Sequence, residues 1–148
     1  MTVRELAGIE VVDESLFAVD DEGHVRLVGA RCDHCATVTF PAQEGCPRCG
    51  AADMEPEPLP RTGTLWAFTV QGFEPKPPYR GLGEFEPYGV GYVDLGPVRV
   101  ETRLTVNDPA ALHNGDVMTL RLIPAYRDDE GRVVHTFAFG PELEEARE

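Results

Sequence analysis

Four cysteines stand in two pairs, Cys32-Asp33-His34-Cys35 and Cys46-Pro47-Arg48-Cys49, and the chain has no other cysteine. Two cysteines separated by two residues form a tight turn that aims both sulfurs into one pocket, so two such turns enclose a tetrahedral cation. The ten residues between the pairs allow a short hairpin to bring the turns face to face. This spacing predicts a structural zinc centre with Cys32, Cys35, Cys46 and Cys49 as ligands. Four thiolates close the coordination sphere, whereas a catalytic zinc keeps one position open for water or substrate. His34, inside the first turn, is read as solvent-facing rather than as a ligand. Gly50 follows the second turn, where a left-handed residue costs little; Ala36 holds the matching place after the first, a less ideal residue there.

Two other readings of the cysteines exist. Disulfides would suit an exported protein, but one four-cysteine site uses every thiol, and no basic-then-apolar leader opens the chain. The expectation is therefore a reduced, cytoplasmic protein. Iron fits the same cage, and Cys-Pro-x-Cys-Gly is similar to the second knuckle of rubredoxin, so zinc versus iron stays open to metal analysis.

The remaining chemistry is sparse. The only serine is Ser15, no Gly-x-Ser-x-Gly elbow exists, and the cysteines are committed to metal, so no nucleophile presents itself. His24, His34, His113 and His135 fall in separate elements; His135, on the last strand, is the one nearest a cleft, and without a carboxylate close in sequence it reads as a packed or surface residue. Asp128, Asp129 and Glu130 form a charged hairpin tip, and Gly81-Leu82-Gly83 lacks the strand–helix setting of a phosphate loop. No catalytic residue is assigned. The formal net charge is −13, and a zinc tetrathiolate adds about −2. With Lys76 as the only lysine and the arginines dispersed, the chain would repel nucleic acid, and no apolar run is long enough to span a bilayer.

The elements that must position the cysteines are short. Residues 1–23 read as a loosely ordered or docking arm. Residues 24–55 form the metal module, with strands near Val25–Ala30 and Thr37–Phe40; too small to bury a core, it depends on its metal. Pro56, Pro58 and Pro60 make 56–62 a semi-rigid linker. From 63 to 140 the pattern is all-β: strands at Thr64–Phe73, Pro87–Leu95 and Val98–Val106, a helical turn within Asn107–Leu112, then strands at Val117–Ile123 and Val133–Phe139. Three strands, a short helix and two strands is the order of a five-stranded OB-fold barrel, whose ligand face lies beside the loops joining strands 1–2 and 4–5, here 74–86 and 125–132. Glu142, Glu144, Glu145 and Glu148 give residues 141–148 the character of a solvated acidic tail. The fold class is mainly β, a rubredoxin-like zinc ribbon followed by an OB-fold.

The cysteine spacing, the opening Gly63-Thr64-Leu65-Trp66, the proline-rich loop at 75–79 and the strand Tyr88-Gly-x-Gly-Tyr-Val-Asp-Leu together resemble the DUF35 family over about residues 24 to 140. The resemblance implies an accessory subunit, itself non-catalytic, that forms a hetero-oligomer with a thiolase-like, lipid-transfer-protein-type enzyme and helps bind the CoA part of an acyl-CoA. Such partners work in acyl-CoA condensation, acyl transfer and retro-aldol cleavage of sterol side-chain CoA esters. The alternative is a free-standing acyl-CoA-binding protein or a scaffold bridging two enzymes. In that setting the 74–86 loop is the expected CoA contact: Lys76 and Arg80 toward phosphates, Tyr79 and Phe85 on pantetheine or on the partner enzyme. The plainer reading is that Tyr79 and Phe85 fold the loop onto the barrel. Acyl-chain identity, the reaction of the complex and its stoichiometry are not written in this chain.

Overall fold

The computed structural model describes residues 2–141, so the acidic tail expected at 141–148 lies, beyond Pro141, outside the described residues. The chain order is α1 (Val3–Ala7), β1 (Glu10–Val11), β2 (Phe17–Val19), β3 (Val25–Cys32), β4 (Val38–Thr39), β5 (Met54–Pro58), β6 (Thr62–Gln71), β7 (Tyr88–Asp94), β8 (Arg99–Leu104), β9 (Val117–Arg127) and β10 (Val133–Gly140). A short 3-10 turn at Pro109–Ala111 separates β8 from β9; Asp108 caps it through the Ala110 amide and proline occupies its first position.

The strands from β6 onward close into a barrel. β6 pairs antiparallel with β7 and β9, β7 with β8, and β9 with β10. The circuit is completed by a parallel pair, with Ala138 beside Arg103 and Phe139 beside Leu104. This five-strand closure is that of an OB-fold, as the element order predicts. Alternation along the strands sends Leu65, Val93, Val100, Met118 and Phe139 inward, each at most 1% exposed. Glycine is required where strands approach closely: a Cβ on Gly91 would stand 2.5 Å from the Ala67 carbonyl oxygen. A register shift between Leu65 and Ala67 places an extra residue, Trp66, in β6, and Trp66 is left half exposed.

Two segments depart from the sequence-based expectation. The proline-rich stretch is no free linker: Met54–Pro58 is a strand that pairs antiparallel with β3, Glu57 facing Gly29 and Glu55 facing Arg31. Proline is tolerated because every second amide of an edge strand faces away from its partner. Pro56 and Pro58 share one parity; Leu59, of the opposite parity, donates its N–H to the Leu27 carbonyl at 2.8 Å. The N-terminal arm is likewise built in. Thr2 and Glu5 form a reciprocal capping box on α1 and Val3 is buried. β1 adds in parallel to β10, and β2 pairs with β3.

Ribbon and barrel share one apolar core. Phe17 from the arm, Phe40 from the ribbon and Phe137 from β10 meet edge to face, with ring centroids 6.5 Å and 5.6 Å from Phe137. Leu27 and Leu59 join the same cluster as the barrel residues. Among the described residues, no helix is long and apolar enough to cross a membrane.

Candidate functional site

The metal centre is built from two turns whose geometry the sulfurs themselves support. The Cys32 sulfur accepts the His34 amide at 3.3 Å, and the Cys46 sulfur accepts the Arg48 and Cys49 amides at 3.4 Å. Each turn ends in a left-handed residue, Gly50 with φ of 80° and Ala36 with φ of 65°; Ala36 is the only non-glycine so placed among the described residues. Cys32 approaches Cys49, and Cys35 approaches Cys46, each pair at 3.6 Å, and all four sulfurs lie within 4.8 Å of one another. With Zn–S bonds of about 2.3 Å, tetrahedral sulfurs stand about 3.8 Å apart, so the cage fits the ion. The thiols are set against one another. The Thr37 hydroxyl beside Cys35 pulls that thiol down to about 6. At Cys49 the Ala51 amide favours the thiolate, yet the Cys32 sulfur and burial push the thiol up to about 11. Four thiolates coexist in so small a volume only around a cation.

His34 lies outside the cage, exposed, with its ring against the Asp53 carboxylate. His135 is also accounted for: its Nδ1 hydrogen-bonds the Glu10 carbonyl at 3.3 Å, which fastens β1 to β10. Of the histidines singled out by sequence, neither faces a nucleophile.

The second site lies where the 74–86 loop folds over the barrel. A cleft of about 130 Å³ opens there, lined by Tyr79, Gly81–Glu86, Arg103, Pro124 and Ala125, with Glu74 at its edge. Tyr79, Phe85 and Tyr88 form one aromatic cluster with centroids 6.1–6.5 Å apart. Tyr79 and Phe85 thus do fold the loop onto the barrel, and they wall the cleft as well. Arg80 does not line it: its guanidinium donates to the Arg127 carbonyl at 2.6 Å, sits 4.7 Å from the Tyr126 ring centroid and faces Asp129 at 3.8 Å. It straps the loop to the β9–β10 hairpin, whose turn spans only 128–132 because β9 continues to Arg127. Lys76 is exposed, lines no part of the cleft and has no ion pair among the described residues. The structure therefore brings Tyr79 and Phe85 together and leaves Lys76 and Arg80 on the outside of the loop.

Sequence reasoning passed over the outward face of β6–β8. There Trp66 meets Tyr92 edge to face, and the Arg99 guanidinium lies 4.2 Å from the Trp66 ring centroid. Trp66 is 50% and Tyr92 41% exposed. The alternation Arg99, Glu101, Arg103 against Val100, Thr102, Leu104 was the available signal.

Comparison with known proteins now adds identity to geometry. Residues 24–55 match the model of the ChsH2 rubredoxin-like zinc ribbon domain, and residues 56–122 match that of the ChsH2 C-terminal OB-fold domain. The chain belongs to the DUF35 family. It is 33% identical over 96 residues to the DUF35 domain-containing scaffold protein of Methanocaldococcus jannaschii, covering 60% of this chain and 63% of that one. It is 36% identical over 69 residues to the benzoylsuccinyl-CoA thiolase subunit BbsA of Thauera aromatica, covering 47% of this chain and 44% of BbsA. The chain thus spans less than two thirds of the length of either curated relative. Among solved structures, the Ltp2-ChsH2(DUF35) aldolase superposes with a TM-score of 0.59 at 28% identity, over 80% of this chain and 86% of that one.

Proposed function

We propose that this DUF35 protein is a zinc-stabilised accessory subunit of a thiolase-like enzyme and helps to hold the CoA part of that enzyme's acyl-CoA substrate. The observation that carries the reading is the likeness to the Ltp2-ChsH2(DUF35) aldolase over four fifths of the chain, ribbon and barrel together. The thiolase subunit BbsA points the same way. The chemistry agrees: the lone serine, Ser15, hydrogen-bonds Asp13 in an exposed 3-10 turn away from the cleft, and the thiols are spent on the cage. The half-exposed Trp66 and Tyr92 suit a partner-covered face, since aromatic residues are enriched in interface cores. The CoA part is placed across the 74–86 loop. Tyr79 and Phe85 offer apolar surface, and Lys76 and Arg80 offer positive charge on a chain that is otherwise acidic. A steroid side-chain aldolase or an acyltransferase is the partner class this reading favours, in the cytoplasm, with neither nucleic acid nor membrane as partner.

Co-expression with thiolase-fold enzymes of the same genome tests this. The expected result is a stable hetero-oligomer on sizing, with acyl-CoA turnover that is lost when this chain is left out. The M. jannaschii relative, named a scaffold, supports a second reading in which the chain bridges two enzymes. Co-purification of two different enzymes with it, each fully active without it, would favour that reading.

A further inference from the structure

Arg103 is the arginine on the wall of the cleft under the 74–86 loop. Arg4, Arg26, Arg31, Arg80, Arg99 and Arg132 each reach a carboxylate, Arg61, Arg121 and Arg127 reach backbone carbonyls, and Arg48, which has no side-chain partner among the described residues, lines neither this cleft nor the groove beside it. Arg103 makes no ion pair among the described residues, and its Nε, like that of Arg121, is buried without a hydrogen-bond partner; Arg121 differs in donating its other two nitrogens to the Leu120 and Pro141 carbonyls. Its guanidinium carbon lies over Tyr88, 3.8 Å from the ring centroid, a cation–π contact that holds the group beside the cleft. It sits where two depressions join, the cleft under the 74–86 loop and an open groove of about 290 Å³ along Tyr88, Val90, Thr136 and Phe137. A cation held in place by an aromatic ring, with a buried donor left empty, is preorganised for an anion that arrives from outside.

We propose that Arg103 is the anion-binding residue of this cleft and takes a phosphate of the CoA part of the substrate. This rests on the accessory-subunit reading and adds a phosphate contact in the cleft to the positive charge that Lys76 and Arg80 offer on the loop's outer face. The surrounding charges set the selectivity. Glu74, Glu84 and Glu86 lie along the cleft and Glu101 lines the groove, so a bare inorganic anion meets repulsion at the mouth. A phosphate joined to an apolar body gains contact with Tyr79 and Phe85 as it enters. That combination is what a phosphopantetheine presents.

The test is the arginine Nε–Hε region of ¹H–¹⁵N NMR spectra of the zinc-loaded chain, titrated with coenzyme A, dephospho-coenzyme A and pantetheine. Arg103→Lys assigns the signal. The Arg103 signal should shift saturably with coenzyme A and stay still with pantetheine; dephospho-coenzyme A tells whether the 3′-phosphate or the diphosphate is bound, either result supporting the site. Arg103→Met should weaken coenzyme A binding at least fivefold, while Arg99→Met, whose guanidinium already faces Asp94, should leave it unchanged. A signal unmoved by coenzyme A, an equal response to pantetheine, or undiminished affinity in Arg103→Met overturns the proposal. So does a signal that moves only on deletion of residues 142–148, which would give the site to the chain's own carboxylates. Co-purification of a thiolase-like partner is scored separately, so the accessory role and this site stand or fall independently.

Discussion

The ribbon and the barrel reach stability by different physical routes. The barrel closes its hydrogen-bond circuit and fills its interior with Leu65, Val93, Val100, Met118 and Phe139. The cysteine-bearing turns contribute little apolar volume: Cys32 and Cys46 are buried, and no large side chain between them is fully buried. Metal ligation does there what packing does in the barrel. The difference teaches where function lies. The ribbon's polar chemistry is consumed by its own fold, whereas the barrel keeps on its outer face the half-exposed Trp66 and Tyr92 and an arginine, Arg103, that makes no ion pair among the described residues.

The contrast is broken most sharply by removing the metal. Zinc in such sites contributes on the order of 10 kcal/mol to folding, so Cys46→Ser or strong chelation should unfold the cysteine-bearing turns at 32–36 and 46–50 while barrel amides of β7 and β8 keep their hydrogen-exchange protection. Simultaneous loss of both would show one cooperative unit. A core truncation reverses the pattern. Phe139→Ala, at a fully buried site, should cost about 3–5 kcal/mol and be read as a lower midpoint of chemical denaturation, with metal content unchanged.

Phe137→Ala sharpens the comparison at the joint. It removes a partly buried ring that touches Phe17 and Phe40, and should cost about 2 kcal/mol while separating the unfolding of the two regions in calorimetry. A smaller effect concerns the β2–β3 turn. Asp20 accepts from Arg26 at 2.7 Å and from the Glu22 and His24 amides, and the Arg26 guanidinium above all lowers its pKa from 3.8 to about 2. A carboxylate held below its unfolded value adds stability that is complete above pH 3.8 and fades as pH falls through about 2. Asp20→Asn should therefore destabilise at neutral pH and flatten the acid limb in that window; an unchanged limb would remove Asp20 from the account. Least disruptive is Lys76→Ala combined with Arg80→Ala, expected to reduce acyl-CoA use by the complex several-fold without altering metal content.

Much of this was legible in the sequence because it rests on local chemistry. Cysteine spacing fixes the cage, and period-two alternation with a proline-capped turn after the third strand fixes the barrel order. What escaped depends on who sits beside whom. Pro56 and Pro58 read as a linker because a sequence does not reveal that their missing amides point away from β3. The N-terminal arm read as loose because β1 and β2 are two and three residues long and gain order only from β10 and β3. Arg80 read as a ligand cation, yet Arg127 and Asp129, nearly fifty residues on, claim its guanidinium. Arg103 drew no notice because an unpaired charge becomes visible only once all its neighbours are placed.

The central claim is that this chain assists chemistry performed elsewhere. The direct measurement is steady-state turnover of an acyl-CoA by the zinc-loaded chain alone, by the thiolase-like partner alone, and by the two together. Turnover is expected only from the two together. Enzyme-like turnover by the isolated chain would contradict it.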